Sequence, residues 1–480
     1  MRRTDGVTGA RRAARWGTGL VAALVAVGIA GTAAGETVSL SLGDAIEIGM
    51  ASNREIAMAQ ARADAAEARL GQARAGFLPR ITASGSYTRL DEAPSMDTSS
   101  FGDMFAPLMV PFEYLVEHGY LDPATLEGLE GGGEDKIYLG DDDVYSLGLH
   151  ATQPIFTGGA ILSAHGAAKH AAAAETLAQT RSTEQVRYDI TTAYLGLVQA
   201  REAVRVMDDT AARMASHLSD VEAMYEQGMV IQSDLMLARV RMSEIELART
   251  RTGHAARLAE AALAFVLGID LETGIDPTDQ LEGAADMGAD LAAWTESALA
   301  QRSDLRAMGE LVGAADNGVS LARSAYFPQI VAVGTYAWDR PNREYDPRFY
   351  EHWSVTVAAQ MNVFDWGGTQ NRVKEARAGL AEVTRAMDLT EDAVRLEVKQ
   401  SFLAYQEATE ALPIAEDALA QAREGLRVAE VSFENGIATE STVLDAQASL
   451  TTAEMNRIAA LAGLRLAEAG LEFAAGVAGR

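Results

Sequence analysis

The sequence of 480 residues contains no cysteine, which excludes disulfides, a thiolate nucleophile and a lipid-modified N-terminal cysteine. After its first 35 residues it also lacks any apolar run of about 18 residues, the length that a transmembrane helix requires. Positive charge is scarce, since 40 lysines and arginines face 68 aspartates and glutamates, for a formal net charge of −28. Such a chain lacks the basic surface that nucleic acid requires, so we expect no nucleic-acid partner.

The usual motifs of catalysis and metal binding are missing as well. The seven histidines form no HExxH pair, and the chain has neither a phosphate-binding glycine loop nor a GxSxG turn. We therefore expect no enzyme activity, no cofactor and no metal site.

Residues 1–35 have the order of a secretory signal peptide: five arginines, an apolar run over 17–30, and small residues before Glu36. The alternative is an N-terminal membrane anchor, for which this apolar run is short. Cleavage after Gly35 would remove five arginines and one aspartate and leave a net charge of −32. An exported chain with no later apolar helix can cross a membrane only as β-strands.

The rest of the chain is a duplicated unit. The stretch ARAGFLPRITASGSY at 73–87 is similar to ARSAYFPQIVAVGTY at 322–336, and PIFTGG at 154–159 is similar to NVFDWGG at 362–368. The stretch YEQGMVIQSD at 225–234 returns 208 residues later as FENGIATEST. The first pair is offset by 249 residues, and the difference predicts an insertion in the first half. The insertion, residues 91–143, carries 14 acidic residues and one lysine and is expected to be an extracellular loop.

Long helices are predicted from apolar residues at alternating spacings of three and four, the pattern of a coiled-coil seam. A helix from about residue 160 to 227 would be roughly 100 Å long, more than a globular core needs. The seam positions are Ile190, Ala193, Leu197, Ala200, Val204, Met207, Ala211, Met214, Leu218, Val221 and Tyr225 in the first half, and Val398, Ser401, Tyr405, Ala408, Leu412, Ala415, Leu419, Ala422, Leu426, Ala429 and Phe433 in the second.

The stretches YEQGMVIQSD and FENGIATEST are predicted to be the ends of two helical hairpins. Gly228 and Gly436 supply the residue of positive φ that ends a helix. Ser233 and Ser441 are predicted to cap the N-termini of the returning helices.

Four runs with period two predict β-strands at about 81–90, 144–153, 329–339 and 352–362. Each has about the length of a transmembrane strand, with aromatic residues near its ends. A soluble sandwich is the alternative, but only two strands occur per half and long helices flank them. Four strands cannot close a barrel, which needs about eight, so several subunits must pool their strands. Three copies would supply about twelve.

These features in duplicate resemble the TolC-like outer-membrane efflux protein family. The motifs are FLP and YFP before the first strand of each pair, PIFTGG and FDWGG after the second, and the two hairpin ends. The resemblance implies a mainly α, mixed fold, with a periplasmic coiled-coil tunnel and a transmembrane β-barrel built from four strands per protomer in a homotrimer. The expected divisions are the signal peptide 1–35, a first repeat 36–270 with helices at 36–80 and 154–270, a linker 271–290, and a second repeat 291–480 with its hairpin tip at 433–442.

The resemblance also implies a gate at the hairpin ends, where the family has two rings of aspartate. Asp445 matches the inner aspartate, whereas Thr442 stands in place of the other. Phe433 and Ala438 stand in place of a tyrosine and an arginine that tether the closed state in the family. The resemblance thus implies one carboxylate ring with weaker latching. Alternatively, Asp445 is an ordinary solvated charge.

The partners of the tether in the first half are retained at Ser233 and Asp234. Asp234 has an alternative role, because a carboxylate also stabilises the N-terminus of a helix. The tip residues expected to contact a periplasmic adaptor protein are, as a set, Gly228, Met229, Val230, Gly436 and Ile437. The apolar members of this set are exposed apolar residues of the kind that mark interfaces.

The implied function is the outer-membrane channel of a tripartite efflux or type I secretion system in a double-membraned bacterium. It would be a passive conduit in outer-membrane lipid that extends into the periplasm and works with an adaptor (membrane fusion) protein and an inner-membrane pump. The alternative is a trimeric coiled-coil spacer or adhesin without a pore. Polar Thr, Ser and Asn side chains on one face of the strands favour the pore. The cargo is not specified by the sequence.

Overall fold

A computed structural model of the protein describes residues 37–93, 95–97, 114–120, 136–138, 142–281, 283, 287–288, 290–341 and 348–477. The predicted signal peptide and most of the acidic insertion lie outside these residues. The chain divides into two compact units. We call residues 70–167 and 316–377 the sheet unit, and the remaining described residues, up to 69, 168–315 and from 378, the helical unit.

In chain order the elements are β1 (Val38–Leu40), α1 (Leu42–Ser52), α2 (Arg54–Ala75), β2 (Arg80–Arg89), β3 (Ser95–Asp97), β4 (Lys136–Tyr138), β5 (Asp143–Phe156), α3 (Ala160–Glu226), α4 (Gln232–Leu267), β6 (Ile275–Pro277), α5 (Leu291–Gln301), α6 (Ser303–Arg323), a 3-10 turn (Ser324–Tyr326), β7 (Gln329–Arg340), β8 (Tyr350–Gln360), α7 (Gly368–Glu434) and α8 (Glu440–Ala474).

The duplication of the sequence is also a duplication of structure. Helices α3 and α7 each contain 67 residues, and both their first and their last residues are 208 positions apart. The returning helices α4 and α8 contain 36 and 35 residues and begin at the same spacing. Among the described residues, no helix is apolar over a stretch long enough to cross a bilayer.

The sheet unit contains four antiparallel strands in the order β2-β5-β7-β8. The register aligns the apolar positions of all four strands on one face, for example Tyr336 with both Leu149 and Trp353. Leu149, Tyr336 and Trp353 are exposed, as are most large apolar side chains of this face. Within the described residues, β2 and β8 each pair with one neighbour only, so both edges of the sheet are open.

The opposite face carries most of the polar side chains, which are hydrogen-bonded from strand to strand, together with Val331 and Val333 of β7. The two ring nitrogens of His150 on β5 lie 3.1 Å from Ser84 Oγ on β2 and 3.2 Å from Thr335 Oγ1 on β7. Ser146 Oγ donates to Asp339 Oδ1 over 2.7 Å. The alternation predicted from the sequence therefore separates an apolar face from a polar one.

In the helical unit, the predicted seam is confirmed. The positions proposed on α3 and α7 are buried or half-buried, with Tyr225 as the exception. Large residues such as Ile190, Leu197, Val221 and Val398 are almost completely buried because they pack between neighbouring helices.

The first half begins with a strand of a small two-stranded sheet, which was not predicted from the sequence. Val38, Ser39 and Leu40 of β1 pair in parallel with β6, so a strand precedes the first helix of the segment 36–80 and another lies within the linker 271–290. The buried Tyr194 donates a hydrogen bond to the Leu40 carbonyl over 2.9 Å, and burial raises its pKa to about 12. The helical segment predicted over 36–80 ends at Ala75. Residues 154–156 of the segment predicted to be helical over 154–270 belong to β5.

A network of ion pairs around the buried Arg302 connects helices of the second half. The guanidinium of Arg302, at the junction of α5 and α6, donates to Asp304 over 3.1 and 2.7 Å, to Glu397 over 2.6 Å and to the Ala474 carbonyl over 3.1 Å. Burial opposes ionisation of Asp304, but hydrogen bonds and charge from Arg302, with a contribution from Arg181, outweigh it and lower the pKa of this carboxyl. The network links the α5–α6 junction to α7 and α8.

Candidate gate at the helical hairpin ends

The two helical hairpins turn with the same backbone geometry. Gly228 and Gly436 have φ values of 72° and 69°, which glycine adopts without the steric cost that a Cβ atom brings. In the first hairpin the amide of Met229 donates to the carbonyl of Met224 over 2.9 Å, and in the second Ile437 donates to Ser432 over 2.8 Å. Each is the 6→1 hydrogen bond of a Schellman motif, which ends the long helix. The prediction that the two glycines end these helices at a positive φ is therefore confirmed.

The predicted capping of the returning helices by Ser233 and Ser441 is wrong. The N-cap residues are Ile231 and Thr439, and neither side chain accepts a capping hydrogen bond from a backbone amide of its helix. Ser233 lies inside the first turn and is exposed. The prediction placed each N-cap two residues too late, because each helix begins directly after the extended residue that follows the glycine turn.

Phe433 occupies a central position between the two hairpins. Its half-buried ring packs against one cluster within the second hairpin, which includes Leu426 and Val443. It also packs against a second cluster in which Leu444 of α8 meets residues of α3 and α4, including Val221. At this position the phenyl ring therefore links the hairpins by apolar contact, where the family resemblance implies a hydrogen-bonding tyrosine.

A histidine and a glutamate that sequence reasoning missed lie beside this ring. Nε2 of His217 on α3 is 2.8 Å from Oε1 of Glu440, the first residue of α8. The side chains are only 10% and 3% exposed, and the imidazole lies 5.9 Å from the Phe433 ring, measured between centroids. Because a carboxylate only accepts, the imidazole donates this hydrogen bond. Oε2 of Glu440 is buried without a partner among the described residues, so His217 supplies the main compensation for this carboxylate.

Two further polar contacts join α3 to α8 above this pair. Arg213 donates to Glu454 over 3.0 Å, and the hydroxyls of Thr210 and Thr451 lie 3.2 Å apart. We call these contacts, together with the pair of His217 and Glu440, the polar ladder. It gives the contact between α3 and α8 a specific register in addition to its apolar packing.

The proposed gate carboxylate is not part of the ladder. Asp445 and Thr442 are exposed on α8, and the Thr442 hydroxyl lies 3.0 Å from that of Thr439. Asp234 is half-buried in the first turn of α4, where the helix dipole favours its charge. In this chain Asp445 and Thr442 are therefore exposed, whereas Phe433 is packed against two apolar clusters.

The apolar tip differs from the prediction at one residue. Met229 and Ile437 are 67% and 81% exposed, as expected for contact residues. Val230 instead packs against the cluster that contains Leu444, so it belongs to the interior of the hairpin. Its neighbour Ile231, 67% exposed, takes its place at the surface. A single-residue shift of this kind cannot be read from a stretch of consecutive apolar residues.

Three solved structures show the same fold at low sequence identity. A membrane protein from Pseudomonas aeruginosa matches with a TM-score of 0.74 and 18% identity over 91% of this chain and 92% of that one. The outer membrane protein VceC from Vibrio cholerae matches with 0.73 and 17% over 91% and 96%. The CmeC outer membrane channel of Campylobacter jejuni matches with 0.74 and 15% over 93% and 90%.

No curated protein sequence matches the chain. The sequence profile named outer membrane efflux protein matches residues 46–269 and 294–477, which cover most of each repeat and both hairpin ends. The chain is therefore a member of the outer membrane efflux protein family.

Proposed function

We propose that the protein is the outer-membrane channel of a tripartite efflux or type I secretion system, a passive conduit rather than an enzyme. The observation that carries this proposal is the sheet. One face is apolar and exposed, the other is a hydrogen-bonded polar surface, and both edges are open. An apolar outer face suits lipid, a polar inner face suits a water-filled lumen, and open edges require further strands in a membrane.

A homotrimer satisfies these requirements, because three sheets of four strands supply about twelve, enough for a barrel with an aqueous interior. Each protomer would contribute its two hairpins to a tunnel in the periplasm. The spacer or adhesin without a pore is less consistent with the polar face, since a closed stalk would bury apolar side chains there.

We further propose that the tunnel closes at the hairpin ends and that Asp445 lines the closure. The exposed carboxylate lies within two turns of the N-terminus of α8, and in a trimer three copies would face one another. The exposed tip residues Met229, Ile231 and Ile437 are the proposed contacts for a periplasmic adaptor protein. An inner-membrane pump would supply the energy.

The conductance of the purified protein in a planar lipid bilayer tests this function. Discrete, cation-favouring steps are expected for the wild type, and larger steps with weaker block by divalent cations for Asp445→Ser. Asp220→Ser, which removes an exposed carboxylate from α3, is the matched control and should conduct like the wild type. Inserted protein that gives no steps would support the spacer, and equal conductance of Asp445→Ser and wild type would contradict the gate alone.

A further inference from the structure

The sheet unit contains a basic pocket that the channel function does not use. The pocket lies between the end of α6 and the first turns of α7 and has a volume of about 380 Å³. Its lining is Arg323, Tyr326, Phe327, Gln370, Val373, Lys374 and Arg377. Three of these seven residues are cations and none is acidic.

The three cations have no ion-pair partner among the described residues. Arg323, Lys374 and Arg377 are exposed, and none of them forms an ion pair with any residue in the part of the chain that the structure describes. In the described helical unit, by contrast, many arginines form an ion pair, for example Arg213 with Glu454. Glu375 is in the same turn of α7, but it does not line the pocket. Like charges placed together repel, so the pocket is suited to a bound anion.

The chemistry of the lining favours a phosphate that carries an apolar group. Arginine forms paired hydrogen bonds with phosphate oxygens, and lysine adds a point charge. Next to these cations the rings of Tyr326 and Phe327 are half exposed, and the buried Val373 forms part of the wall. A free inorganic anion would gain nothing from contact with these apolar side chains, whereas the glycerol and acyl region of a lipid would pack against them.

The same unit presents aromatic residues of the kind found at membrane surfaces. In the loop before α7, Phe364 and Trp366 are exposed, Trp366 to 87%, and their ring centroids are 4.8 Å apart in an edge-to-face contact. Trp366 has a φ of 57°, which bulky residues avoid, and Asp365 fixes the turn by accepting from the Thr369 amide over 2.7 Å. Exposed tryptophan and tyrosine at the end of apolar strands are typical of the interface between lipid and water.

We propose that Arg323, Lys374 and Arg377 bind the phosphate of an anionic phospholipid at the membrane surface next to α7. The inference rests on the proposed function, because it needs the sheet to lie in a membrane. Basic pockets between transmembrane helices bind acidic lipid headgroups by the same chemistry.

Lipid binding to the purified full-length protein in neutral detergent tests the site. The probes are phosphatidylglycerol, phosphatidylcholine and free sn-glycerol 1-phosphate, and bound lipid is counted by native mass spectrometry. Phosphatidylglycerol is expected to bind at least tenfold more tightly than phosphatidylcholine. The combined variant Arg323→Gln, Lys374→Gln, Arg377→Gln should lose this preference, whereas Arg323→Lys with Arg377→Lys keeps the charges and should retain it.

A control with the same loss of charge is Arg251→Gln, Arg257→Gln, Arg423→Gln, which changes exposed arginines of the helical unit. Equal loss in the control and the pocket variant would overturn the site, as would unchanged binding by the pocket variant. Displacement of phosphatidylglycerol by equimolar glycerol phosphate would overturn the lipid assignment in favour of a soluble phosphate. Selective lipid binding by protein that forms no channels would support the site and contradict the proposed channel.

Discussion

Replacing His217 by alanine should loosen the contact between the two hairpins. The change leaves the Glu440 carboxylate, whose side chain is 3% exposed, without its hydrogen-bond donor. An unsatisfied buried polar group costs about 1–3 kcal/mol. Glu440 remains at the N-terminus of α8, where its interaction with the helix dipole offsets about 0.3–1 kcal/mol of this cost. We therefore expect the contact to weaken by about 2 kcal/mol, which is roughly a thirtyfold increase in the opening equilibrium.

The lack of native cysteine makes this opening measurable by thiol labelling. Leu444 is 4% exposed and packs against α3 and α4, so a thiol in the variant Leu444→Cys reacts with maleimide only when α8 moves away. Adding His217→Ala should raise the labelling rate roughly thirtyfold, if opening is fast compared with labelling. Glu440→Gln keeps a hydrogen-bonding group without the charge and should have a smaller effect.

His254→Ala is the matched control, because His254 is exposed on α4 and should leave the rate unchanged. If His217→Ala labels at the rate of the Leu444→Cys parent, the pair does not hold the hairpins together. The polar ladder would then contribute register but no measurable stability.

Two further predictions concern the tip and the second half. Met229→Asp should abolish export while leaving the assembled protein in the membrane, because a charge cannot replace an apolar contact. Ser219→Asp, at an exposed polar position of the same hairpin, should export normally, and normal export by Met229→Asp would exclude the contact. Arg302 lowers the pKa of Asp304, so the stability that this carboxylate contributes is complete above its unfolded pKa of about 4 and is lost as the pH falls through the lower folded value. Between pH 5 and pH 3 the thermal midpoint should therefore fall less in Asp304→Asn than in wild type, and parallel curves would contradict this.

Periodic features of the sequence were sufficient to predict the repeated architecture. The seam of α3 and α7 and the alternation of the four strands each extend over ten or more residues, so errors at single positions do not change the interpretation. The strands β1 and β6 contain three residues each and carry no period, which explains why a helix was expected at the start of the first repeat. Their pairing depends on residues more than 230 positions apart.

The turns of the candidate gate could be predicted from the sequence, but its long-range contacts could not, because only local patterns are visible there. The glycine turns are local, and Gly228 and Gly436 could be identified from the sequence. The pair of His217 and Glu440 spans 223 positions, and no local pattern relates the two residues. A signal did exist, since Glu440 begins α8 and His217 lies next to the seam position Leu218, but both observations have common explanations as solvated charges.

The duplication suggests which contacts between hairpins would break when a trimeric tunnel opens. In a ring of six hairpins, contacts within one protomer alternate with equivalent contacts between protomers. At a spacing of 208 residues, the equivalents of His217 and Glu440 are Gly425 and Gln232, which cannot form the same hydrogen bond because glycine has no side chain. Both are exposed in the single chain, as residues of an unfilled interface would be. We therefore expect the hairpins to part between protomers and to stay joined within them.

Introducing the missing pair should stabilise the closed state. Gly425→His with Gln232→Glu places a histidine and a carboxylate at the contact between protomers, in the arrangement that His217 and Glu440 have within one. The helix should tolerate the histidine, because a Cβ atom at Gly425 meets nothing within 4 Å in the single chain. Channel openings in a planar bilayer should become rarer in the double variant than in either single variant. If openings are equally frequent, the hairpins do not separate at this contact, and separation within the protomer, across the polar ladder, becomes the better explanation.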